Sequence, residues 1–170
     1  MTVILRPISI DDTSNIIKWR NSNEVKRNLF SQNDITEQQH REYFHNFICK
    51  GKVMQFIIVA DGNDCGTSFL KNIDLDNKIA EFGIFIGDSI YRGKGIGAIA
   101  TAQTVKIGFQ NLPVERIYLS VFSNNMGAIK SYKKAGFKII KTGEKHTISD
   151  GSTVEITKME VYRAQIMEVL

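Results

Sequence analysis

Apolar residues in the first 20 positions follow a strand pattern and then a helix pattern. The run Val3-Ile4-Leu5-Arg6 predicts a strand, which is followed by Pro7. Asp11 or Asp12 can then cap a helix at its first turn. The apolar face of that helix recurs near i, i+3 spacing and consists of Ile16, Ile17 and Trp19. The chain is therefore expected to begin with a strand and an amphipathic helix.

Two further helical segments are predicted before residue 52. A short one is expected from Asn23 to Leu29. A longer one opens at Asp34-Ile35-Thr36-Glu37, where a capping residue precedes an acidic position, and it runs to about Lys50. Gly51 is a natural end point, because glycine favours the left-handed conformation that commonly follows a helix.

From residue 54 onward the pattern becomes typical of β-strands. The predicted strands are Met54–Ala60, Cys65–Ile73 and Ile79–Ile86. Asp61-Gly62-Asn63 and Asp76-Asn77 supply the turns between them. Three strands joined by tight turns predict an antiparallel meander.

The C-terminal part alternates helices with strands after a glycine-rich loop at Tyr91 to Gly97. The predicted elements are a helix from Ala98 to Gln110, a strand from Arg116 to Phe122, a helix from Asn125 to Lys134 ended by Gly136, and strands within Lys138–Lys141 and His146–Tyr162 with a turn at Asp150-Gly151. This order predicts a mixed α/β (α+β) sheet rather than a doubly wound one. We expect one domain over residues 1–170.

Composition removes several classes of protein. Hydrophobic residues make up 42% of the 170 and charged residues 24%, values typical of a globular chain. Cys49 and Cys65 lie far apart without a CxxC motif, which argues against a disulfide scaffold or a zinc module and fits a reducing compartment. The longest apolar run, Phe56–Ala60, is far shorter than the ~20 residues that span a membrane. No targeting segment is visible, so we expect a cytoplasmic protein that binds no membrane and no metal.

The charge balance is mildly basic. The chain has 22 lysines and arginines against 18 aspartates and glutamates, a formal net charge of +4. No clustered basic stripe with interleaved aromatic residues is present, which argues against a nucleic-acid partner. A moderate positive excess suits a small anionic ligand.

The glycine-rich loop carries the strongest chemical signal. Arg92-Gly93-Lys94-Gly95-Ile96-Gly97 lies between a predicted strand and a predicted helix. Unpaired N–H groups at a helix N-terminus, brought close to a ligand by glycines, form an anion site that commonly holds phosphate. The spacing GxGxG fits neither the dinucleotide fingerprint GxGxxG nor the Walker loop GxxxxGK[ST]. Taken alone, the loop is equally compatible with a tight structural turn.

A second motif further along the chain, taken together with the loop, resembles the pattern of a known protein family. Arg92, Gly95 and Gly97 match the pattern [RQ]-x-x-G-x-[GA], and the sequence Asn125, Ala128, Tyr132 followed by Gly136-Phe137 matches N-x-x-A-x-x-x-Y and G-F. In this order the two motifs resemble the GNAT family of N-acetyltransferases. The resemblance implies a mixed, mostly antiparallel sheet of six to seven strands that is splayed at the centre and flanked by about four helices.

The resemblance also implies how acetyl-CoA is held as co-substrate. The loop from Arg92 to Gly97, which includes Gly93, Lys94, Gly95 and Ile96, is expected to bind the pyrophosphate through backbone N–H groups. The preceding strand at Ile84-Phe85-Ile86 is expected to pair its backbone with the pantetheine arm. Asn125 is expected to hydrogen-bond the co-substrate near the pantetheine. An N–H of Phe85 or Ile86 is the expected donor to the oxyanion of the reaction.

Two residues are candidates for the proton transfers. Tyr132 suits the role of acid toward the leaving thiolate, since a phenol is not ionised at neutral pH; its structural alternative is a packed helix aromatic. Glu81 is the candidate base, because a glutamate in an apolar strand is costly unless it is paired or used. A role in orienting substrate remains an equal alternative for Glu81. Period-2 alternation places Glu81, Gly83 and Phe85 on one face, opposite Phe82, Ile84 and Ile86.

The acceptor is a small-molecule amine whose identity stays open. Lys18-Trp19-Arg20-Asn21 with Val25, and Glu81-Phe82-Gly83, resemble the subgroup that acetylates nucleotide-linked amino sugars in the pseudaminic-acid pathway. Trp19, Arg20, Asn21 and Glu81 are the substrate-binding candidates, with Trp19 on a base or sugar and Arg20 on a phosphate; the alternative for Trp19 is a core anchor. Other acceptors considered are polyamines and ribosomal-protein N-termini, and a further alternative is a non-catalytic acyl-CoA-binding module. Homodimers are frequent in the family.

Overall fold

Seven strands form one mixed sheet in the computed structural model, which describes residues 1–167. The strands are β1 (Val3–Pro7), β2 (Met54–Ala60), β3 (Asn63–Asp74), β4 (Ile79–Ile86), β5 (Arg116–Phe122), β6 (Lys138–Thr147) and β7 (Thr153–Tyr162). They lie in the order β1-β2-β3-β4-β5-β7-β6, and every neighbouring pair is antiparallel except β4 and β5. The predicted mixed, mostly antiparallel sheet is confirmed.

Six α-helices accompany the sheet within residues 1–167, compared with about four expected. They are α1 (Thr13–Arg20), α2 (Asn23–Lys26), α3 (Glu37–Tyr43), α4 (Ile96–Asn111), α5 (Met126–Lys134) and α6 (Arg163–Met167). The difference comes from α2 and α6, which have only four and five residues. No helix in the described chain has both the length and the apolar character needed to cross a bilayer.

The helix predicted from the Asp34–Glu37 signature consists of α3 and a π-helical turn, Phe44–Ile48. Thr36 accepts a hydrogen bond from the N–H of Gln39, and the Gln39 side chain accepts one from the N–H of Thr36. This reciprocal capping box satisfies two N–H groups at the helix start. Gly51 follows the helical turns with a φ of +68°, as expected for a glycine that ends a helix.

The predicted side-chain cap of α1 is wrong. Asp12 occupies the N-cap position, but its carboxylate makes no cap hydrogen bond. It instead accepts two hydrogen bonds from Arg6, at 2.6 and 2.9 Å, and one from the N–H of Ser9 at 2.8 Å. Burial raises the pKa of the Asp12 carboxyl, but the hydrogen bonds from Arg6 and Ser9 outweigh it and leave the pKa lowered. The ion pair therefore ties β1 to the start of α1.

Two apolar layers cover the two faces of the sheet. On one face, α4 and α5 pack through Val105, Phe109 and Ile129 onto a cluster that contains Phe82. On the other face, α1 packs through Ile16 and Trp19 onto a cluster that Phe85 adjoins. The alternation predicted for β4 is thus confirmed, with even and odd residues facing different helices.

His40 is a buried polar residue in the layer that contains α1 and α3. Its side chain Nδ1 lies 3.0 Å from Thr13 Oγ1, and that hydroxyl donates to the Ile10 carbonyl at 2.6 Å. Nδ1 is therefore the donor, and Nε2 is a buried acceptor without a partner among residues 1–167. Burial and the nearby Arg41 lower the pKa of His40, while Asp12 opposes them.

We expect the free energy of unfolding to decrease as the pH falls below about 6.5, the ordinary histidine pKa. The unfolded chain takes up a proton there, whereas folded His40 does so only at lower pH, so acid favours unfolding. Urea denaturation between about pH 7.5 and about pH 5.5 measures this loss. It should be smaller for His40→Asn, which keeps a donor toward Thr13, and unchanged for the exposed control His45→Asn. Equal losses in parent and His40→Asn would contradict the assignment.

Candidate active site

A crevice opens in the middle of the sheet where β4 and β5 diverge. The two parallel strands pair at Ile79 with Arg116, Ala80 with Ile117 and Glu81 with Tyr118, and no pair follows. Beyond this point β4 continues to pair with β3, and β5 continues to pair with β7. One edge of β4 therefore faces the crevice without a neighbouring strand.

The register of β3 and β4 decides which backbone groups face the crevice. The N–H of Gly87 donates to the carbonyl of Cys65 at 2.8 Å, on the β3 side. Backbone groups alternate along an antiparallel pair, so Phe85 also faces β3, whereas Ile84 and Ile86 face the crevice. Arg92 donates to the Ile86 carbonyl from that side at 2.9 and 3.0 Å. The expectation that the Phe85 N–H could serve as oxyanion donor is wrong, because that group belongs to the β3–β4 ladder.

The glycine-rich loop presents five consecutive free N–H groups. Those of residues 93 to 97 donate to no atom within residues 1–167, and the next one, of Ala98, bonds to the Gly95 carbonyl at 3.1 Å. Gly93 and Gly95 have φ values of +73° and +82°, which side chains disfavour. The loop leads directly into α4, a helix of 16 residues whose N-terminus carries partial positive charge. Free donors and helix dipole together make a site for a phosphate anion.

The Arg92 side chain anchors this loop to the end of β4. Its guanidinium donates to the carbonyls of Ile86 and, at 3.2 Å, Gly87. The end of β4 and the start of α4 are thereby held together. Lys94 is exposed, with its Nζ 5.8 Å from the ring centroid of Tyr91.

Tyr132 lies on α5, on the same face of the sheet as α4. Its ring packs edge-on against Phe82 of β4, with centroids 5.9 Å apart, and also contacts Phe137. Burial raises the pKa of the Tyr132 phenol, so the group stays protonated at neutral pH. Burial is the only cause of this shift, and no hydrogen bond within residues 1–167 contributes to it, so the phenol proton is available for transfer. Asn125 caps α5 by accepting a hydrogen bond from the N–H of Ala128 at 3.2 Å, and its amide NH₂ remains available to a ligand.

Glu81 lies on the opposite face, at the point where the crevice begins. Oε2 accepts a hydrogen bond from Asn72 Nδ2 at 2.7 Å, and Oε1 lies 3.6 Å from Lys71 Nζ. The side chain is 24% exposed, so it reaches solvent beside Tyr118 of β5. Glu81 and Tyr132 are thus on opposite sides of the sheet near the crevice, an arrangement that can supply a base on one side and an acid on the other.

The three N-terminal candidates hold their own segment in place. Trp19 is 6% exposed and its ring packs against Gly87, where a side chain would clash. This is the core-anchor alternative and leaves no free ring face for stacking. Arg20 donates to the Ser31 carbonyl at 2.5 Å, and Asn21 exchanges two hydrogen bonds of 2.9 Å with the backbone of Ile35.

Two open cavities contain residues that sequence reasoning missed. One, of about 570 Å³, is lined by Arg27, Asn28, Asn124, Asn125, Met126 and Gly127. The other, of about 540 Å³, is lined by Tyr43, Phe47, Gly51, Lys52, Val53, Lys71, Asn72, Ile73 and Leu75. The second reaches Glu81 through Lys71 and Asn72. Only the proximity of Asn124 to the Asn125 motif could have pointed to the first cavity.

Residues 2–138 match the family model described as an acetyltransferase (GNAT) domain. Among curated relatives, the L-amino acid N-acetyltransferase AaaT of Escherichia coli K12 is 32% identical over 105 residues, which cover 61% of this chain and 64% of that protein, a little under two thirds. The spermidine N(1)-acetyltransferase of E. coli K12 is 28% identical over 81% of this chain and 74% of that protein. The acetyltransferase PseH of Campylobacter jejuni (strain 81-176) is 25% identical over 73% of this chain and 75% of that protein.

The fold is shared with a solved structure. The spermidine N-acetyltransferase of Vibrio cholerae, in complex with CoA and spermine, superposes with a TM-score of 0.86 at 22% identity and covers 97% of this chain and 98% of that one. The predicted fold class, splayed at the centre of the sheet, is therefore confirmed.

We expect Gly97→Val to weaken acetyl-CoA binding at least tenfold, about 1.4 kcal/mol, because a side chain would hold the pyrophosphate away from the backbone. A Cβ at Gly97 meets only Ser131 Oγ, at 3.8 Å, so the protein itself accommodates it. Titration calorimetry compares the acetyl-CoA affinity of Gly97→Val with that of Ala102→Val, which places the same branched side chain at an exposed position of α4. Unchanged affinity of Gly97→Val would remove the loop from the binding site.

We expect Tyr132→Phe to lower kcat by roughly 10²–10⁴, the usual contribution of a general acid. Acetyl-CoA affinity and Tm should change little, since the ring packing is kept and the hydroxyl has no described partner. Steady-state kinetics and thermal unfolding measure both, with the exposed Tyr162→Phe as control. Turnover within twofold of the parent would mean that another group protonates the thiolate.

Proposed function

The chain belongs to the GNAT family of acetyltransferases, which use acetyl-CoA as co-substrate, and we propose that its acceptor is the primary amine of a nucleotide-linked amino sugar. One observation carries this choice. Cations line both of the cavities described above, through Arg27 in one and Lys52 and Lys71 in the other, and no carboxylate lines either. An acceptor with an anionic part suits such walls better than a polycation does.

The chemistry of each cavity supports the same class of acceptor. A guanidinium such as that of Arg27 recognises phosphate oxygens, and the neighbouring amides of Asn28 and Asn124 suit sugar hydroxyls. In the second cavity, Tyr43 and Phe47 are stacked with centroids 5.2 Å apart, beside Lys52. Aromatic rings next to a cation fit a nucleobase and its phosphates.

Two carboxylates on the Glu81 face already have cationic partners. Glu81 lies beside Lys71, and Glu160, next to Tyr118 in the register of β5 and β7, accepts from Arg116 at 3.0 Å. A polyamine acceptor needs unpaired carboxylates to replace the water around each of its charges. The paired carboxylates therefore favour an acceptor with fewer positive charges.

The proposed mechanism uses both sides of the crevice. The free N–H groups of residues 93 to 97 hold the pyrophosphate, and the crevice-facing edge of β4 holds the pantetheine arm. Glu81 accepts a proton from the acceptor amine, directly or through water. The neutral amine then attacks the thioester carbonyl, whose oxyanion is stabilised by the N–H of Ile86. As the C–S bond breaks, Tyr132 donates its proton to the thiolate, and the acetylated nitrogen releases its extra proton, which restores the phenol.

A polyamine is the second candidate. The observation in its favour is the 28% identity to the spermidine N(1)-acetyltransferase, which extends over 81% of this chain. Acetylation of a polyamine would use the same acetyl-CoA chemistry and would differ only in the acceptor. The side chains that line the two cavities, rather than the catalytic residues, distinguish an amino-sugar acceptor from a polyamine acceptor.

We expect a UDP-linked 4-amino sugar to be acetylated with a higher kcat/KM than spermidine, as measured by release of the free CoA thiol. Arg27→Ala should raise the KM for the nucleotide sugar about tenfold, because one charge-assisted contact to phosphate is lost. Lys18→Ala removes the same charge from an exposed position of α1 and serves as control. A preference for spermidine, with no effect of Arg27→Ala, would instead support the polyamine candidate.

We expect Glu81→Gln to lower kcat and flatten the acidic limb of its pH profile with an amino-sugar acceptor, because the proton-accepting carboxylate is lost. With a polyamine the same change should also raise KM strongly, since a carboxylate that binds a cation disappears. Kinetics against pH with both acceptors measure these effects. If Glu81→Gln keeps the parental kcat and acidic limb, Glu81 is structural.

A further inference from the structure

The third strand contains an irregularity beside Glu81. The register between β3 and β4 shifts between Lys71 and Asp74. Within this bulge, Asn72 has a φ of +47°, in the left-handed region that few residues other than glycine adopt. Asparagine tolerates that conformation better than most side chains. Bulges of this kind turn a side chain in a direction that a regular strand does not allow.

The bulge directs two side chains at the two oxygens of one carboxylate. Asn72 Nδ2 donates to Glu81 Oε2 at 2.7 Å, which is a short hydrogen bond. Lys71 Nζ lies 3.6 Å from Oε1, a distance of an ion pair rather than a hydrogen bond. One oxygen is therefore held firmly, and the other keeps its lone pairs free.

We propose that Asn72 is a positioning residue that fixes Glu81 through Oε2 so that Oε1 accepts the proton of the acceptor amine. This rests on the proposed function of Glu81 as base. The bulge explains why the residue is an asparagine. A glycine would adopt the same backbone but would supply no donor to Glu81.

The charged and titratable groups around Glu81 come from β3, β5 and β7, the last through Glu160, which lies opposite Tyr118 and pairs with Arg116. Lys71 from β3 is the nearest cation, and Tyr118 lies opposite Glu81 on β5. Arg116 of β5 and Asp74 of β3 act on Tyr118, whose pKa is raised by burial first and then by the charge of Glu81. Removing the neutral amide of Asn72 changes none of these charges. A change in activity on its removal therefore measures the loss of the hydrogen bond to Glu81.

The test compares Asn72→Gly with Lys78→Gly. Lys78 also has a positive φ, +55°, in the adjoining turn, and its side chain does not contact Glu81, so it controls for the backbone change. We expect Asn72→Gly to lower kcat about tenfold, to move the acidic limb of the pH profile to higher pH, and to leave Tm and the KM for acetyl-CoA unchanged. Lys78→Gly should resemble the parent in all four measurements.

A double variant distinguishes this proposal from the proposed role of Glu81. If Asn72 acts through Glu81, Asn72→Gly should lower kcat no further in the Glu81→Gln background. A normal kcat and acidic limb for Asn72→Gly, with an impaired Glu81→Gln, would overturn the positioning role alone. A normal Glu81→Gln would overturn the assignment of the base and this proposal with it. If Asn72→Gly lowers kcat by the same factor in the parent and in Glu81→Gln, the role of Asn72 is purely structural.

Discussion

The structure depends on one constraint: β4 and β5 are parallel neighbours that pair over only three residues. Beyond those residues each strand remains paired on its other side, β4 with β3 and β5 with β7, so neither can close the gap. The crevice edge of β4 therefore presents backbone donors and acceptors to any extended ligand that enters. An acyl-CoA arm, which carries amides along its length, satisfies such an edge as an added strand does.

The rest of the site is arranged around that edge. The loop of residues 93 to 97 lies at the end of β4, held there by Arg92, and supplies free N–H groups for a phosphate. Strand alternation then places the acid and the base on different faces, Tyr132 beside Phe82 and Glu81 with its bulge partner Asn72. An acyl donor and an amine acceptor can thus approach the reacting centre from two sides.

Local sequence patterns predicted most of this architecture, because the conformation of a strand, helix or turn depends largely on the residues within that segment. The strand limits of β2, β4 and β5 and the glycine-rich loop follow from alternation and spacing. The signature at Asp34–Glu37 predicted the third helix, although its cap is Thr36, paired with Gln39, rather than Asp34 with Glu37. The failures concern contacts between different segments of the chain. Asp12 bonds to Arg6 instead of capping α1, and the Phe85 N–H turns toward β3 because of a register that one strand alone cannot show. The sequence pattern places Asn72 in a regular strand, and only the structure shows the bulge that directs its side chain to Glu81.

The most direct test of the central claim is a ¹H–¹⁵N titration of the backbone amides with CoA and with pantetheine alone. If the unpaired β4 edge and the free loop donors hold the co-substrate, CoA shifts the amides of residues 93 to 97 together with those of Ile84 and Ile86, with one shared Kd. Pantetheine, which lacks the pyrophosphate, should shift only Ile84 and Ile86. Binding of CoA that leaves the loop amides and the β4 edge unmoved would contradict the account.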